Sequence, residues 1–396
     1  MAEVDQGARQ SPRFILLYAL AVAGGAVAYV PFLTVLLPVR ITALSGASDV
    51  VWLGYATFAG ACAASLFNIL FGWLSDVTGN RRGWILGGLL LSSFFLVSMT
   101  RVETLAQLVG AILAWQLSLN MMLGPLAAWA GDTVPDRQKG TLGGLLAFAH
   151  ALGAASGALV TIAGLASADG RLMLVAAMVI TMVVPVLLFG RPRPMPHLMK
   201  LEVRERQAPD LRRSRVVRMW LARLLVQIAE AALFAYLLFW LRDIDPAFGD
   251  DDTARIFAVV IALAVPVSMF AGRWSDLTAR PILPLAIAAL VGAVGLVIMA
   301  LQDGLPMAIG GYLVFGLSTS VFLSLHTSQT LRVLPRPRTR GRDLGLFNLT
   351  NTVPSLIMPW LTLGLVPSFG FATLLALLAV LVATGALLLA SMPRLN

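Results

Sequence analysis

Of the 20 acidic residues in the chain, 19 lie in polar segments or at the ends of apolar runs; Glu230 alone sits near the middle of one. A carboxylate among aliphatic side chains is costly while ionised, and a group that can shed its charge by taking a proton is suited to carrying one. The alternative is a structural glutamate, protonated or paired. Arg223 and Gln227 precede Glu230 on the same helical face, at offsets of seven and three residues. Helical rise separates Arg223 from Glu230 by about 10 Å, too far for a direct bond, so Gln227 or a water would have to join them. Arg223 has two readings. Facing inward, it favours an anionic group; otherwise its long stem carries the charge back to the membrane surface.

The remaining deep polar side chains are scattered over other apolar runs: Tyr29, Gln116, Asn120, His150, Tyr236, His326, Asn348 and Asn351. Amides and phenols at such positions suit a hydroxylated solute, through hydrogen bonds and ring stacking. Hydrogen bonding between helices is the competing explanation, and the two histidines read first as structural donors, with proton relay the alternative. Nothing here looks like an enzyme. The three histidines are dispersed, with His197 in a polar segment, and Cys62 is the only cysteine, so no Cys-rich metal site or intrachain disulfide can form. There is no nucleotide-binding glycine loop, which argues against ATP-driven pumping; no cofactor or metal is called for.

These residues must be held by membrane helices. The chain has 396 residues, 58% hydrophobic and only 12% charged, too little charge for a soluble surface. Its apolar residues fall into twelve runs long enough to cross a bilayer, at about 14–39, 51–75, 83–100, 104–130, 141–166, 171–190, 217–241, 254–275, 281–301, 305–331, 344–366 and 370–392. The first follows Arg9 and Arg13 and resembles a signal peptide, but about 26 apolar residues exceed a cleaved core, so it reads as span one. The net charge of +9 follows topology and is no nucleic-acid footprint. Of 29 Lys and Arg, 23 fall on one side of the twelve-span arrangement, five on the other (Arg40, Arg101, Arg171, Arg242 and Arg255), and Arg223 within a span. Such asymmetry predicts that both termini are cytoplasmic.

A short cassette occurs twice, 200 positions apart. Gly72-Trp73-Leu74-Ser75-Asp76-Val77-Thr78 precedes Arg81 and Arg82; Gly272-Arg273-Trp274-Ser275-Asp276-Leu277-Thr278 precedes Arg280. Further echoes fall in register. Val134-Pro135, Lys139-Gly140 and Leu142-Gly143 match Leu334-Pro335, Arg340-Gly341 and Leu344-Gly345, and Ala28-Tyr29-x-x-Phe32 matches Ala235-Tyr236-x-x-Phe239. These predict two parallel six-helix halves, 1–190 and 217–396, joined by a basic cytoplasmic linker, 191–216, with one short interfacial helix and an affinity for anionic lipid. The fold class is an all-α membrane protein.

The cassettes resemble the motif of the major facilitator superfamily, Gly-x-Leu-x-Asp-Arg-x-Gly-Arg-Lys/Arg-Lys/Arg after span two. Gly72, Leu74, Asp76, Gly79, Arg81 and Arg82 match, while Val77 and Asn80 replace basic residues; the second copy keeps Gly272, Asp276 and Arg280. The resemblance implies alternating access and a cavity lined by spans one, four, seven and ten with help from five and eleven, generally in a monomer. The two glycines permit close helix approach, and Asp76 and Asp276, beside Arg81, Arg82 and Arg280, form charge clusters able to latch one side of the protein and release it. Alternatively they only fix turns and topology.

A narrower likeness is to glycoside and sucrose cation symporters, through Gly-Trp-Leu-Ser-Asp and Asp132-x-Val134-Pro135-x-x-Gln138-Lys139-Gly140. Span two lacks an acidic residue before Asp76, its most polar deep residue being Asn68, so protons rather than sodium are the expected partner. Gly144, Gly153 and Gly157 carry the spacing of a drug–proton antiport motif, with Ala158 where that motif has proline. The reading is therefore proton-coupled symport of a sugar, glycoside or organic acid across a bacterial-type inner membrane. Export of amphipathic compounds and a non-transporting sensor are the alternatives.

Overall fold

The computed structural model describes residues 9–45, 49–162, 164–199, 209–248, 250–278, 280–334 and 337–392. Among these the regular structure is helical. Span one (Pro12–Leu44) is followed by span two (Asp49–Thr78), span three (Arg81–Ser98), span four (Leu105–Thr133), span five (Asp136–Val160) and span six (Ala168–Phe189). Span seven (Pro209–Ile244), span eight (Asp250–Thr278), span nine (Leu283–Ala300) and span ten (Leu305–Val333) come next. One further helix of 51 residues, Arg340–Ala390, is broken at Gly370, whose φ of 76° is left-handed. A straight helix of that length would reach about 75 Å, more than twice a bilayer core, so the break makes residues 340–369 span eleven and the remainder span twelve.

Local chemistry sets the ends. Ser11 caps span one through the Phe14 amide with Pro12 in its first turn, and Thr104 and Gln107 form a capping box on span four. Asn80 and Ser167 cap spans three and six by accepting from Gly83 and Gly170. Gly79, at φ 63°, ends span two in the left-handed conformation expected of a glycine there. Span one carries a π-helical turn, Phe32–Leu36, directly after Pro31.

Spans two and eight keep less than a third of their apolar windows buried, and Phe270, Leu277 and Trp360 are at least three-quarters exposed. Helices apolar on every face are built to meet lipid. Buried polar side chains instead concentrate in spans four and ten, and span ten, with 67% of its apolar window buried, is the most buried of the described spans.

There are two such units. One comprises Met1–Pro135, Phe148–Leu201 and Arg336–Asn348; the other comprises Asp136–Ala147, Glu202–Pro335 and Leu349–Asn396. In the first, span four packs on spans two and three and span one on span six. Phe32 meets Trp115 edge-on at 4.7 Å and Phe14 meets Trp129 at 5.4 Å. In the second, span ten packs on spans eight and nine in the same relation, around Phe315 and Phe322. The units thus repeat each other's packing, but they differ from a simple cut at the linker. The opening turns of span five belong to the second unit, and those of span eleven to the first. In the linker, residues 196–199 form a single 3-10 turn, Pro196–Met199, residues 200–208 lie outside the described residues, and span seven is helical from Pro209.

Candidate substrate and proton site

Span seven brings Arg223, Gln227 and Glu230 to one face, as their offsets require. Gln227 Nε2 donates to Glu230 Oε2 at 3.1 Å. Arg223 does not fold back to the helix end. Its Nη1 donates to Thr327 Oγ1 at 3.1 Å and lies 3.4 Å from His326 Nδ1, and its Nη2 donates to Asn351 Oδ1 at 3.1 Å. The guanidinium is therefore held by spans ten and eleven. Arg223 Nε and Gln227 Oε1 are buried without a hydrogen-bond partner among the described residues. Arg223, Gln227, Glu230 and Thr327 keep part of their surface open and Asn351 is exposed.

His326 is fully buried. Its Nε2 lies 3.0 Å from the Met219 carbonyl and its Nδ1 3.1 Å from Thr330 Oγ1. A carbonyl can only accept, so Nε2 carries a proton; the Thr330 hydroxyl can play either part, but the Arg223 guanidinium 3.4 Å from Nδ1 can only donate, which assigns Nδ1 as the acceptor of a neutral ring. His326 ties spans seven and ten together and presents its lone pair towards Arg223.

In the first unit Gln116 and Asn120 are buried in one network. Asn120 Nδ2 donates to the Gln116 carbonyl at 2.9 Å, and Asn120 Oδ1 accepts from Asn68 Nδ2 at 2.9 Å. This is a bond between spans two and four, the interhelical role weighed for such amides. Tyr29 packs on a small cluster of Ala23, Ala26 and Ala149. Tyr236 lies further along span seven from Glu230, with its ring 6.3 Å from that of Phe239. Asn348 groups with the first unit and Asn351 with the second. The side chain of His150 lies outside the described residues.

The duplicated cassettes build two matching cradles. In the first unit Asp76 is 2% exposed and accepts from Arg81 Nη2 at 2.6 Å, the Gly341 amide at 2.9 Å and the Arg342 amide at 3.0 Å. Those amides are the free N–H groups of span eleven's first turn, where the helix end favours an anion. Asp132 is bracketed by Arg81 at 2.9 Å and Arg340 at 2.7 Å. In the second unit Asp276 accepts from the Gly140 and Thr141 amides at 2.9 and 2.7 Å and from Arg332 Nη2 at 3.0 Å. Gly72 faces Gly341 so closely that a methyl group on either would collide with the other's carbonyl, and Gly272 and Gly140 repeat this contact.

Two of the arginines grouped with these carboxylates stand elsewhere. Arg82, one residue on from Arg81 and about 100° round the helix, donates to the Gly190 carbonyl and lies 5.3 Å over Trp129. Arg280 follows the end of span eight and is exposed; Arg332 from span ten takes the position beside Asp276. Sequence reasoning missed Arg332, Thr141 and Asp132 as members of the cradles. The signal was present in the Lys139-Gly140 and Arg340-Gly341 echoes, whose glycines provide the close approach. Among the described residues no group of three or more His, Cys, Asp or Glu could hold a metal ion.

Comparison with known proteins agrees with this architecture. No curated protein matches the sequence. Solved structures similar to the chain include the human organic anion transporter MFSD10 (TETRAN), at TM-score 0.74 and 15% identity, covering 96% of this chain and 100% of the other. FucP, a fucose:proton symporter of E. coli, in its outward conformation, is similar at TM-score 0.77 and 12% identity over 96% and 98% of the two chains. A bacterial homologue of the iron transporter ferroportin, in an outward-facing state, is similar at TM-score 0.72 and 15% identity over 96% and 98%. At these identities the likeness is one of fold, and it is the fold of integral multi-pass transporters rather than of enzymes. The sequence model of the Major Facilitator Superfamily matches residues 14–339, and the chain belongs to that family.

Proposed function

We propose that the protein is a secondary active transporter that takes up a small polar organic solute together with protons, by alternating access. The observation that carries this reading is Glu230, the one deep intramembrane carboxylate, bonded by neutral Gln227 and free of any ion pair among the described residues. A carboxylate placed so can load a proton from one side and release it to the other. Arg223, Thr327 and Asn351 supply the adjoining polar surface, with His326 buried behind them. The naming of FucP as a fucose:proton symporter supports coupling of this kind.

The Asp76 and Asp276 cradles serve as the latch. Each joins a buried carboxylate to the opening turn of a helix from the other sequence half, and the cytoplasmic side opens when these contacts part. The protein works as a monomer in a bacterial-type inner membrane with both termini in the cytoplasm. The basic composition of the linker suits anionic lipid, and residues 1–190 and 217–396 are the two halves of the working cycle. The glycines that resemble an antiport motif have a packing use: Gly144 meets Met269, and Gly153 meets Val30 and Ala26. Symport is therefore preferred to export.

The test is transport by the purified protein in liposomes enclosing a pH dye. Addition of sugar or organic-acid pools should acidify the lumen, and Glu230→Gln should abolish the signal. Proton release from acid-loaded vesicles on adding amphipathic drugs would instead establish antiport.

A further inference from the structure

Three buried cations and one half-buried cation have a carboxylate in reach: Arg81 has Asp76 and Asp132, Arg340 has Asp132, Lys139 has Asp136, and the half-buried Arg332 has Asp276. Arg223 differs. Among the described residues every hydrogen-bond partner of its guanidinium is neutral: Thr327, His326 and Asn351. Its Nε–H meets no acceptor among the described residues, and Nη2, with two hydrogens, makes one bond. A guanidinium offers paired N–H groups that fit the two oxygens of a carboxylate. The neutral partners orient this cation without neutralising it. The only acid on its own face is Glu230, two helical turns on, with Gln227 bonded to it instead.

We propose that the transported solute carries a carboxylate, received by Arg223 beside Asn351 and Thr327, and that its binding and the protonation of Glu230 promote each other. This rests on Glu230 as the proton carrier. With Glu230 ionised, cation and anion on span seven balance, and a further anion is opposed. With Glu230 protonated, Arg223 stands alone and the solute's carboxylate restores the balance. By linkage, the bound carboxylate must favour protonated Glu230 to the same degree. Over about 10 Å at an effective dielectric near 20, the coupling is on the order of tenfold in affinity. The proton reaches Glu230 from the water on the loading side and leaves with the solute on the other; a monoanion moving with one proton transfers no net charge.

Among the described residues the other titratable groups near the pair are His326, whose two nitrogens are both engaged, and Tyr312, which interacts electrostatically with Glu230, both on span ten. Span eight meets span seven through Phe257 against Phe234, span twelve through Gly385 against Ala222, and span eleven contributes Asn351.

The experiment is ligand binding to the purified full chain across pH, using carboxylates paired with neutral twins: gluconate with glucose, lactate with glycerol, benzoate with benzyl alcohol. At least one carboxylate should bind, and its neutral twin at least tenfold more weakly. Affinity should fall about tenfold as pH rises through the ionisation of Glu230. Glu230→Gln should bind at the acid-side level at every pH. Arg223→Gln should lose carboxylate binding, and Arg223→Lys, keeping the charge without the fork, should retain a weakened form; cooperative thermal unfolding verifies that each variant is folded. Equal binding of the twins, no binding of any carboxylate to folded wild type, or unchanged carboxylate binding in both Arg223 variants would overturn the carboxylate site. Proton uptake driven by glucose alone would overturn it while leaving symport intact. Carboxylate binding that is pH-independent in wild type and unaltered by Glu230→Gln would overturn the coupling and, with it, Glu230 as carrier.

Discussion

Glu230, Gln227 and Arg223 were legible because helical periodicity alone puts them on one face, and because charged residues inside apolar runs stand out. The expected consequence is specific. Glu230→Gln should end uphill, proton-driven uptake while sparing solute exchange between two equal pools, since the amide can still occupy the site but cannot cycle a proton. Counterflow and pH-gradient uptake, measured on the same vesicles, separate the two; loss of both, or of neither, would contradict the role. What stayed hidden at this scale were the small hydroxyl and amide partners. Thr327 also donates to the Leu323 carbonyl one turn back, as threonines in membrane helices commonly do, so nothing in its sequence context separates an anchor for Arg223 from a residue satisfied within its own helix. Asn68 was visible as the most polar deep residue of span two, but its bond to Asn120 depends on how spans two and four pack.

At the scale of helices, the cradles depend on glycines as much as on charges. Gly72→Ala or Gly272→Ala should force the crossing backbones apart, at about 1–3 kcal/mol for overpacking. Gly54→Ala, where an added methyl meets nothing within 4 Å, should be near neutral, and thermal unfolding of the three variants in detergent checks the contrast. Asp76→Asn removes a carboxylate that answers one guanidinium and two amides. Breaking a buried pair in this way costs on the order of 3–5 kcal/mol, and the expected outcome is slowed transport with raised cytoplasmic accessibility to a thiol reagent at an introduced cysteine. Unchanged rate and accessibility would reduce the cradle to a turn. The cassette was readable as a repeat, but its arginine partners were only half readable. Adjacency in sequence pointed to Arg82 and Arg280, whereas helix geometry turns the first towards Gly190 and leaves the second beyond the helix end. Arg332 is 56 residues from Asp276, a pairing that only the packing of span ten on span eight creates.

For the whole molecule, twelve spans and their repeat followed from hydropathy and register, because lipid imposes a length on every crossing and the backbone must satisfy its own hydrogen bonds there. The single helix Arg340–Ala390 fits the same count, its left-handed Gly370 marking where span eleven gives way to span twelve. What the repeat did not foretell was where each compact unit takes its residues from, since that depends on contacts far apart in the chain. Residues 136–147 pack with the second unit and residues 336–348 with the first, so each sequence half lends the other a helix start. The chain is, in effect, exchanged with itself, as two subunits are in a domain swap. Severed in the linker and made as two polypeptides, each half should be short-lived in the membrane, its aspartate deprived of the amides that answer it. Made together, the fragments should recover each other and restore transport, and a glycine-to-leucine change at Gly140 or Gly341 in one fragment should abolish that rescue.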